Sequence, residues 1–355
     1  MHPIKLELHS IGNALRPFVI AELSGNHNQS LERALQIVEA AAQAGADGVK
    51  LQTYTADTMT IDCQKADFVV SGTGEQWQDR TLYALYDEAH TPWEWHKPIF
   101  DRCYELGMTP FSTPFDESAV DFLESLNMEI YKVASFEMTD IPLLKKIAST
   151  AKPVIMSTGM ASETEIELAV STLKSAGCNE LVLLKCTSAY PAEYHDANTR
   201  TIPYLAQKYA CFSGLSDHTL GAAVPVTATA LGAVVIEKHL TLNREDGGVD
   251  SHFSMEPEEF AQLVRMVKQS YESLGQVQIE PSEAELACRN YRRSVYVVKD
   301  MNAGDVFTKE NIRVIRPGFG LPPSAYEDIL GKQAKLALTR GTSLQPTMVE
   351  GLLIY

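Results

Sequence analysis

The feature that most constrains the fold is an alternation of short apolar runs with amphipathic segments over the first 275 residues. The segments between the runs carry apolar residues at helical spacing, such as Leu31, Leu35 and Val38, and this one stops at Gly45. The runs with the length and composition of buried strands are FVIAEL at 18, GVKLQT at 48, MTPFST at 108, EIYKVAS at 129, PVIMSTG at 153, ELVLLKCTS at 180, CFSGLSDH at 211 and AVVIEKH at 233. Eight strand and helix units predict an α/β fold, a (β/α)8 TIM barrel.

The chain of 355 residues is longer than a TIM barrel of about 250. A last predicted helix, Pro257 to Leu274, is followed by a polar stretch and then by short strand-like runs with turns. We therefore expect a barrel over residues 1–275, a linker over 276–288 and a small β-rich domain over 289–355. The interval from Thr53 to His90 contains SGTGEQWQDR and predicts a lid or a substrate loop, with a simple surface insertion as the alternative.

Charge and composition exclude several classes of function. A net charge of −16 without a basic run would repel nucleic acid and anionic membranes. The opening MHPIKLELHS lacks the apolar run of a signal peptide, and no stretch of eighteen apolar residues occurs, so we expect a cytoplasmic protein without a membrane span. The six cysteines follow no CxxC or zinc-finger spacing and several lie in apolar runs, which indicates reduced thiols in the core.

Every predicted strand ends in polar or charged residues. The carboxyl ends of the strands are where TIM barrels carry their active sites. A single serine or threonine there can equally be a helix cap, so the prediction of a polar site depends on the whole set. Its members are Glu22, Lys50, Gln52, Ser112, Thr113, Lys132, Ser135, Ser157, Thr158, Thr187, Ser188, Ser216, His218, Glu237 and His239.

His218 and His239 end two neighbouring predicted strands. Two imidazoles that leave other coordination positions open suit Mn²⁺, Mg²⁺, Fe²⁺ or Co²⁺, whereas a structural zinc needs four protein ligands. The alternative is a hydrogen-bonded pair of core histidines. His27, in SGNHN just after the first strand, either contacts a substrate or shapes its loop.

Lys50 and Lys132 end the second and fourth predicted strands. They could bind an anion together, or one of them could form a Schiff base. The neighbouring hydroxyls favour an anion, because a phosphate or carboxylate accepts many hydrogen bonds at once. Glu22 could transfer a proton or form a hydrogen bond with a substrate, and the alternative is a structural ion pair with a lysine.

A set of motifs distributed over nearly the whole chain resembles the sialic acid (nonulosonic acid) synthase family. The motifs are AELSGNHN, DGVKLQTY, FSTPFD, YKVAS, IMSTGM, CTSAYP, GLSDHT, EKHLT and IRPGFG. The resemblance implies a TIM barrel followed by an antifreeze-like (SAF) domain, in a homodimer whose small domains are swapped. It also implies a transferase that condenses phosphoenolpyruvate with an acetamido sugar and uses a divalent metal.

The resemblance also implies roles for individual residues. Glu22, His218 and His239 would be catalytic, and the two histidines would ligate Mn²⁺, Mg²⁺ or Co²⁺. The residues implied to bind phosphoenolpyruvate are Lys50, Gln52, Thr113, Lys132, Ser135, Ser157, Ser188 and Ser216. Those implied to bind the sugar are His27, Tyr190, Glu237, Asp250 and Arg316, the last supplied by a swapped small domain. Ser188 departs from N-acetylneuraminate synthases, which tend to have Asn at this position.

Within the family, SGNHNQS, LYDEAHTPWEW, CTSAYPAEY and RRSVYVVKDM are most similar to the pseudaminic acid synthases. The implied acceptor is then 2,4-diacetamido-2,4,6-trideoxy-β-L-altropyranose. N-acetylneuraminate or legionaminate synthesis is the alternative within the family. Outside it, the alternatives are a Schiff-base aldolase and a non-catalytic sugar-binding protein.

Overall fold

The computed structural model describes residues 1–71 and 77–352 and contains a closed, parallel barrel. The strands, in chain order, are β1 Ile4–Lys5, β2 Ser10–Ile11, β3 Phe18–Glu22, β4 Gly48–Thr53, β5 Thr109–Pro114, β6 Tyr131–Val133, β7 Val154–Ser157, β8 Leu181–Cys186, β9 Phe212–Asp217, β10 Val235–His239, β11 Ser294–Val297 and β12 Ile312–Ile315. Strands β3 to β10 form the barrel, and β10 closes it by pairing with β3, with Val235 opposite Phe18. Each of the eight predicted runs holds one barrel strand, so the predicted TIM-type fold is confirmed.

Helices follow the barrel strands and cover them. The helices of the barrel unit, in chain order, are α1 Leu31–Ala44, α2 Ala56–Met59, α3 Leu82–Ala89, α4 His96–Glu105, α5 Glu117–Ser125, α6 Ile141–Ala148, α7 Glu163–Ser175, α8 Thr201–Tyr209, α9 Ala223–Ala230 and α10 Pro257–Leu274. Two short helices, α11 Glu283–Leu286 and α12 Tyr326–Ile329, follow in the rest of the chain. The last barrel helix, α10, has the predicted bounds. In residues 1–71 and 77–352, no helix has both the length and the apolar character needed to cross a membrane.

Helix α1 shows how local sequence sets the position of an element relative to the barrel rim. It begins after Ser30, whose side chain accepts a hydrogen bond from the Arg33 backbone nitrogen. It ends at Gly45, whose φ of +87° is a left-handed conformation that glycine adopts without strain. Its buried face, which includes Ile37, packs in the barrel core, so the helix holds the loop after β3 at the carboxyl end of the strands.

A short hairpin of β1 and β2 precedes the barrel and was not predicted. Its strands are two residues each, too short to show a periodic pattern, although Ile4 and Ile11 are both buried. The loop between its two strands reaches the amino end of the barrel, where His9 Nδ1 lies 3.0 Å from Thr109 Oγ1 at the start of β5. The hairpin region therefore lies at the end of the barrel away from the predicted site.

The chain forms two compact units, Met1–Gly275 and Gln276–Tyr355. The second unit has its own apolar core, which includes Val295, Phe307 and Leu344, and an antiparallel pair of β11 and β12. Helix α11 lies within the stretch expected to be a linker, and Val277 and Ile279 in that stretch are exposed.

Candidate active site

A cavity of about 410 Å³ opens among the carboxyl ends of the barrel strands. It contains most of the residues that the sequence analysis selected. Those that line it are Lys50, Gln52, Lys132, Ser135, Ser157, Tyr190, Ser216, His218, Glu237, His239 and Asp250. Of the interval from Thr53 to His90, the described residues form one wall of this cavity, while residues 72–76 of the predicted lid lie outside the described structure.

Two lysines and two glutamates form a buried charge network at the floor of the cavity. Lys50 makes an ion pair with Glu22, and the Nζ atoms of Lys50 and Lys132 each lie 3.9 Å from Glu237 Oε1. Burial raises the pKa of Glu237, but the two ammonium groups outweigh it and hold that pKa below its usual value. Burial raises the pKa of Glu22 to about 7 in spite of Lys50, so this carboxyl group can gain or lose a proton near neutrality.

Hydroxyl groups surround the two ammonium groups. Lys132 Nζ donates to Ser157 Oγ at 2.7 Å, and Lys50 Nζ donates to Thr113 Oγ1 at 3.4 Å. Ser216 Oγ donates to Glu237 Oε1 at 3.0 Å. Ammonium and hydroxyl donors grouped in this way can bind a phosphate or a carboxylate through charge-assisted hydrogen bonds.

Glu22 and Thr113 are fully buried and contact the lysines without being among the residues that line the cavity in the described structure. Glu22 Oε1 also accepts a hydrogen bond from Gln52 Nε2 at 3.1 Å. The structural ion pair and proton transfer therefore both remain as interpretations of Glu22, because it is paired with Lys50 and also has a pKa suited to proton transfer.

Gly159 brings two predicted hydroxyls together just after β7. Its backbone nitrogen donates to Ser135 Oγ at 3.0 Å. A Cβ atom at this position would overlap Ser188 Oγ and lie 2.8 Å from Ser135 Oγ. A side chain here would displace both hydroxyls, so Gly159 lets Ser188 lie close to Ser135, which lines the cavity, although Ser188 is not itself among the lining residues in the described structure.

His218 and His239 converge at the rim, with ring centroids 5.3 Å apart. His218 Nδ1 lies 2.9 Å from the Thr187 carbonyl oxygen and donates to it, and the same ring is hydrogen-bonded to Cys186. His239 Nδ1 is buried without a hydrogen-bond partner, 4.0 Å from Asp250 Oδ2, and burial lowers the pKa of His239 well below its usual value. Burial lowers the pKa of His218, but hydrogen bonds with Cys186 and Thr187 outweigh it and raise that pKa. Once both rings are neutral, the two imidazoles fit the donor set of a divalent cation.

The rest of such a coordination sphere would be open. Among the residues that the structure describes, no three His, Cys, Asp or Glu side chains are grouped closely enough to hold a metal ion. A cation on the two imidazoles would therefore have positions left for water and substrate oxygens, as in catalytic rather than structural metal sites.

Aromatic and acidic groups complete the rim beside the histidines. The Tyr190 ring lies 4.4 Å from that of His218 and 6.2 Å from that of Trp77, between centroids. Asp250 accepts a hydrogen bond from Ser24 Oγ. Flat rings next to a carboxylate are suited to hold a sugar by its faces and hydroxyls.

The structure does not place His27 in the cavity. Its ring is fully buried, Nδ1 accepts from the Gln29 backbone nitrogen at 3.1 Å, and Nε2 lies 3.3 Å from Thr91 Oγ1. The Trp95 ring packs against it edge-on at 5.5 Å. This geometry favours the loop-shaping alternative over contact with a substrate. Arg316 belongs to the second unit, where it precedes Pro317 and is exposed.

Two cavity residues were missed by the sequence analysis. Glu137 follows β6 by four residues; burial raises its pKa to about 7, and its Oε2 has no hydrogen-bond partner. Cys186 ends β8 and was interpreted as a core thiol. Burial alone raises the pKa of Cys186, but hydrogen bonds with His218 and Ser135 outweigh it and lower that pKa to about 7. The position of Cys186 at a strand end was an available signal, whereas Glu137 lies in a loop and offered none.

The buried His27 should make the protein sensitive to acid. Burial lowers its pKa to about 4, whereas the unfolded chain has a value near 6.5, so protons bind the unfolded state first as the pH falls. The free energy of unfolding should be unaffected by this group above pH 6.5 and should fall by about 3 kcal/mol between pH 6.5 and pH 4. Denaturant unfolding at several pH values measures this.

The variant His27→Gln should flatten that pH dependence, and His195→Gln on the surface serves as the control, since its ring is 80% exposed. An unchanged slope between pH 6.5 and pH 4 in His27→Gln would show that this ring does not stay neutral in the folded state.

Comparison with known proteins places this site in a family. The NeuB family model matches residues 37–279, and the SAF domain model matches residues 292–350. The pseudaminic acid synthase of Campylobacter jejuni is 41% identical over 340 residues, 96% of this chain and 98% of that protein. The pseudaminic acid synthase of Helicobacter pylori is 42% identical over 94% of this chain and 98% of that protein.

A solved structure has the same architecture. The N-acetylneuraminic acid (sialic acid) synthetase of Leptospira borgpetersenii, crystallised with citrate, superposes with a TM-score of 0.71 at 33% identity. The match covers 81% of this chain and 94% of that one. The chain belongs to the NeuB family and carries a SAF domain after its barrel.

Proposed function

We propose that this chain is a cytoplasmic pseudaminic acid synthase. The reaction joins phosphoenolpyruvate, 2,4-diacetamido-2,4,6-trideoxy-β-L-altropyranose and water to give pseudaminic acid and phosphate. The observation that carries the proposal is the pairing, in one cavity, of two buried lysines ringed by hydroxyls with two convergent imidazoles. Two relatives that are pseudaminic acid synthases, each matched over 98% of its length, support this function over the others in the family.

The lysines and hydroxyls would hold phosphoenolpyruvate. Lys50 and Lys132 supply positive charge, and Ser135, Ser157 and Ser188 supply donors for the phosphate and carboxylate oxygens. At an effective dielectric constant of about 20, each close contact between an ammonium and an anion contributes roughly 4 kcal/mol before desolvation. Two such contacts offset the repulsion from the acidic surface and hold the enol in a fixed orientation.

A divalent metal on His218 and His239, Mn²⁺, Mg²⁺ or Co²⁺, would supply a Lewis acid for the aldehyde oxygen of the open-chain sugar. The two rings would hold it at the rim, and Thr187 would keep His218 in the required tautomer. Asp250 and Tyr190 would orient the sugar beside them.

The reaction consists of a condensation, an addition of water and a loss of phosphate. C3 of phosphoenolpyruvate attacks C1 of the sugar, so that a C–C bond forms while the enol C=C and aldehyde C=O π bonds break. The aldehyde oxygen gains a proton, and C2 becomes an oxocarbenium carbon. Water then adds to C2, loses a proton, and the C2–O bond to phosphate breaks. Glu22 has a pKa of about 7 and lies against Lys50, so it is our candidate for moving one of these protons.

The Schiff-base alternative uses the same lysines differently. Lys132 Nζ is bonded to Ser157 Oγ and to the Val133 carbonyl oxygen, and Lys50 is paired with Glu22. Burial lowers the pKa of Lys50, but Glu22 and Glu237 outweigh it and raise that pKa, which favours the ionised amine and anion binding, because a Schiff base requires the neutral amine. Burial lowers the pKa of Lys132, so Lys132 is the lysine at which the Schiff-base alternative has to be tested. Trapping with borohydride and pyruvate should give no covalent adduct.

We also propose that the protein is a domain-swapped homodimer. Phe136, Met160, Tyr194 and Leu220 follow four successive barrel strands and are each more than half exposed. Apolar side chains around the rim indicate a surface that another chain covers. If a partner supplies Arg316, mixing inactive Lys132→Met chains with Arg316→Ala chains should restore activity, because some mixed sites combine both intact residues.

A phosphate-release assay tests the activity itself. Phosphoenolpyruvate is supplied with the diacetamido altrose sugar, the diacetamido mannose sugar that leads to legionaminic acid, or N-acetylmannosamine, each with and without Mn²⁺. We expect metal-dependent release with the altrose sugar. Release with N-acetylmannosamine alone would replace the proposed acceptor, and no release with any sugar would remove the proposed activity.

A further inference from the structure

Part of the cavity surface is apolar and comes from the segment between Thr53 and His90. We call it the apolar wall, and its members are Met59, Val70, Leu82, Leu85, Tyr86 and Ala89. The last four lie on α3 at positions i, i+3, i+4 and i+7, which is one face of a helix. The apolar stripe of α3 therefore faces the cavity.

This stripe is not used to build the protein core. Leu82, Leu85 and Tyr86 are only half-buried, and none of them belongs to the barrel's apolar core in the described part of the chain. A surface helix ordinarily packs its apolar face against the core. Since α3 instead presents this face to a cavity with charged groups at its floor, the apolar wall is suited to contact a ligand with an apolar part.

We infer that the apolar wall selects an acceptor sugar that is deoxygenated and N-acetylated, an inference that rests on the proposed function. A 2,4-diacetamido-2,4,6-trideoxy sugar carries a methyl group at C6 and two acetyl methyl groups. N-acetylmannosamine carries one acetyl methyl group and hydroxyls at C4 and C6. A hydroxyl turned toward the apolar wall would lose its water without gaining a hydrogen-bond partner, whereas a methyl group gains from the same burial.

The apolar wall recognises substituents and is insensitive to their stereochemistry. It should therefore accept diacetamido sugars of the altro and manno series alike, and the choice between these two belongs to the polar groups of the rim. Because an apolar surface rejects an added hydroxyl by a limited factor, we expect wild type to prefer the diacetamido altrose sugar over N-acetylmannosamine about 100-fold in kcat/KM.

Replacing the wall's leucines by glutamine tests the inference. Leu85→Gln and Leu82→Gln replace an apolar side chain by one of similar size that carries a hydrogen-bonding amide. Each should lower the preference for the diacetamido sugar about tenfold, while KM for phosphoenolpyruvate stays unchanged. Leu85→Met should keep the preference, because it preserves an apolar surface.

The exposed face of the same helix provides a matched control. Ala84 is exposed and does not line the cavity in the described structure, so Ala84→Gln should leave kcat/KM for both sugars unchanged. If kcat/KM falls equally for both sugars in Leu85→Gln and Leu82→Gln, or if its ratio between the sugars stays at the wild-type value, the inference is wrong. Turnover by wild type would still support the proposed function in that case. Absence of turnover in wild type would instead remove the proposed function.

Discussion

Replacing Lys132 by methionine should lower kcat/KM for phosphoenolpyruvate about a thousandfold. The ammonium is 1% exposed, donates to Ser157 and lies 3.9 Å from Glu237, so methionine leaves the carboxylate and the bound anion with one lysine instead of two. Removing one member of a buried charge pair typically costs 2 to 5 kcal/mol, and each 1.4 kcal/mol is a factor of ten. Steady-state phosphate release measures the loss.

The exposed Lys97, which pairs with Asp101 on the outer surface of α4, is the matched control. Lys97→Met should have activity close to wild type, because exposed pairs contribute little. Thermal unfolding of both variants separates a lost substrate contact from a general loss of stability. Retention of wild-type kcat/KM in Lys132→Met would contradict the assignment of this lysine to the anion.

Removing either imidazole should abolish metal-dependent turnover. His239→Ala and His218→Ala each leave one protein ligand where the cavity offers two, so we expect loss of Mn²⁺ binding by calorimetry and a fall in kcat of about 10³-fold or more. Treating wild type with EDTA should remove activity, and Mn²⁺ should restore it in wild type but in neither variant. Binding of phosphoenolpyruvate should persist, because the lysines are intact.

The control is His195→Gln, which changes a surface ring that is 80% exposed and should respond to EDTA and Mn²⁺ as wild type does. If EDTA-treated wild type remained fully active, the proposed metal would be wrong. The two histidines would then be better described as orienting groups for the sugar.

The barrel could be predicted because its signals are local. The runs that form β3 to β10 are nearly uniform in buried residues, and α1 and α10 carry their own start or stop residues, Ser30, Gly45 and Pro257. The hairpin of β1 and β2 could not be predicted, since its stability depends on burying Ile4 and Ile11 against distant parts of the barrel.

The same distinction between local signals and contacts of distant segments applies to the residues of the site. A residue at the end of a barrel strand must reach the mouth, so the positions of Lys50, Lys132 and His239 follow from strand order alone. Loop residues follow no such rule. His27 lies in a turn that buries it beneath Thr91 and Trp95, whereas Glu137, in a comparable loop, points into the cavity.

The sequence by itself determined the barrel, its order of strands and the polar residues at their ends, because periodicity and strand direction are properties of neighbouring residues. Only the tertiary structure decided the pairing of Lys50 with Glu22, the approach of Gly159 to Ser188 and the turning of α3 toward the cavity. These features depend on distances between segments far apart in the chain, which no local pattern records.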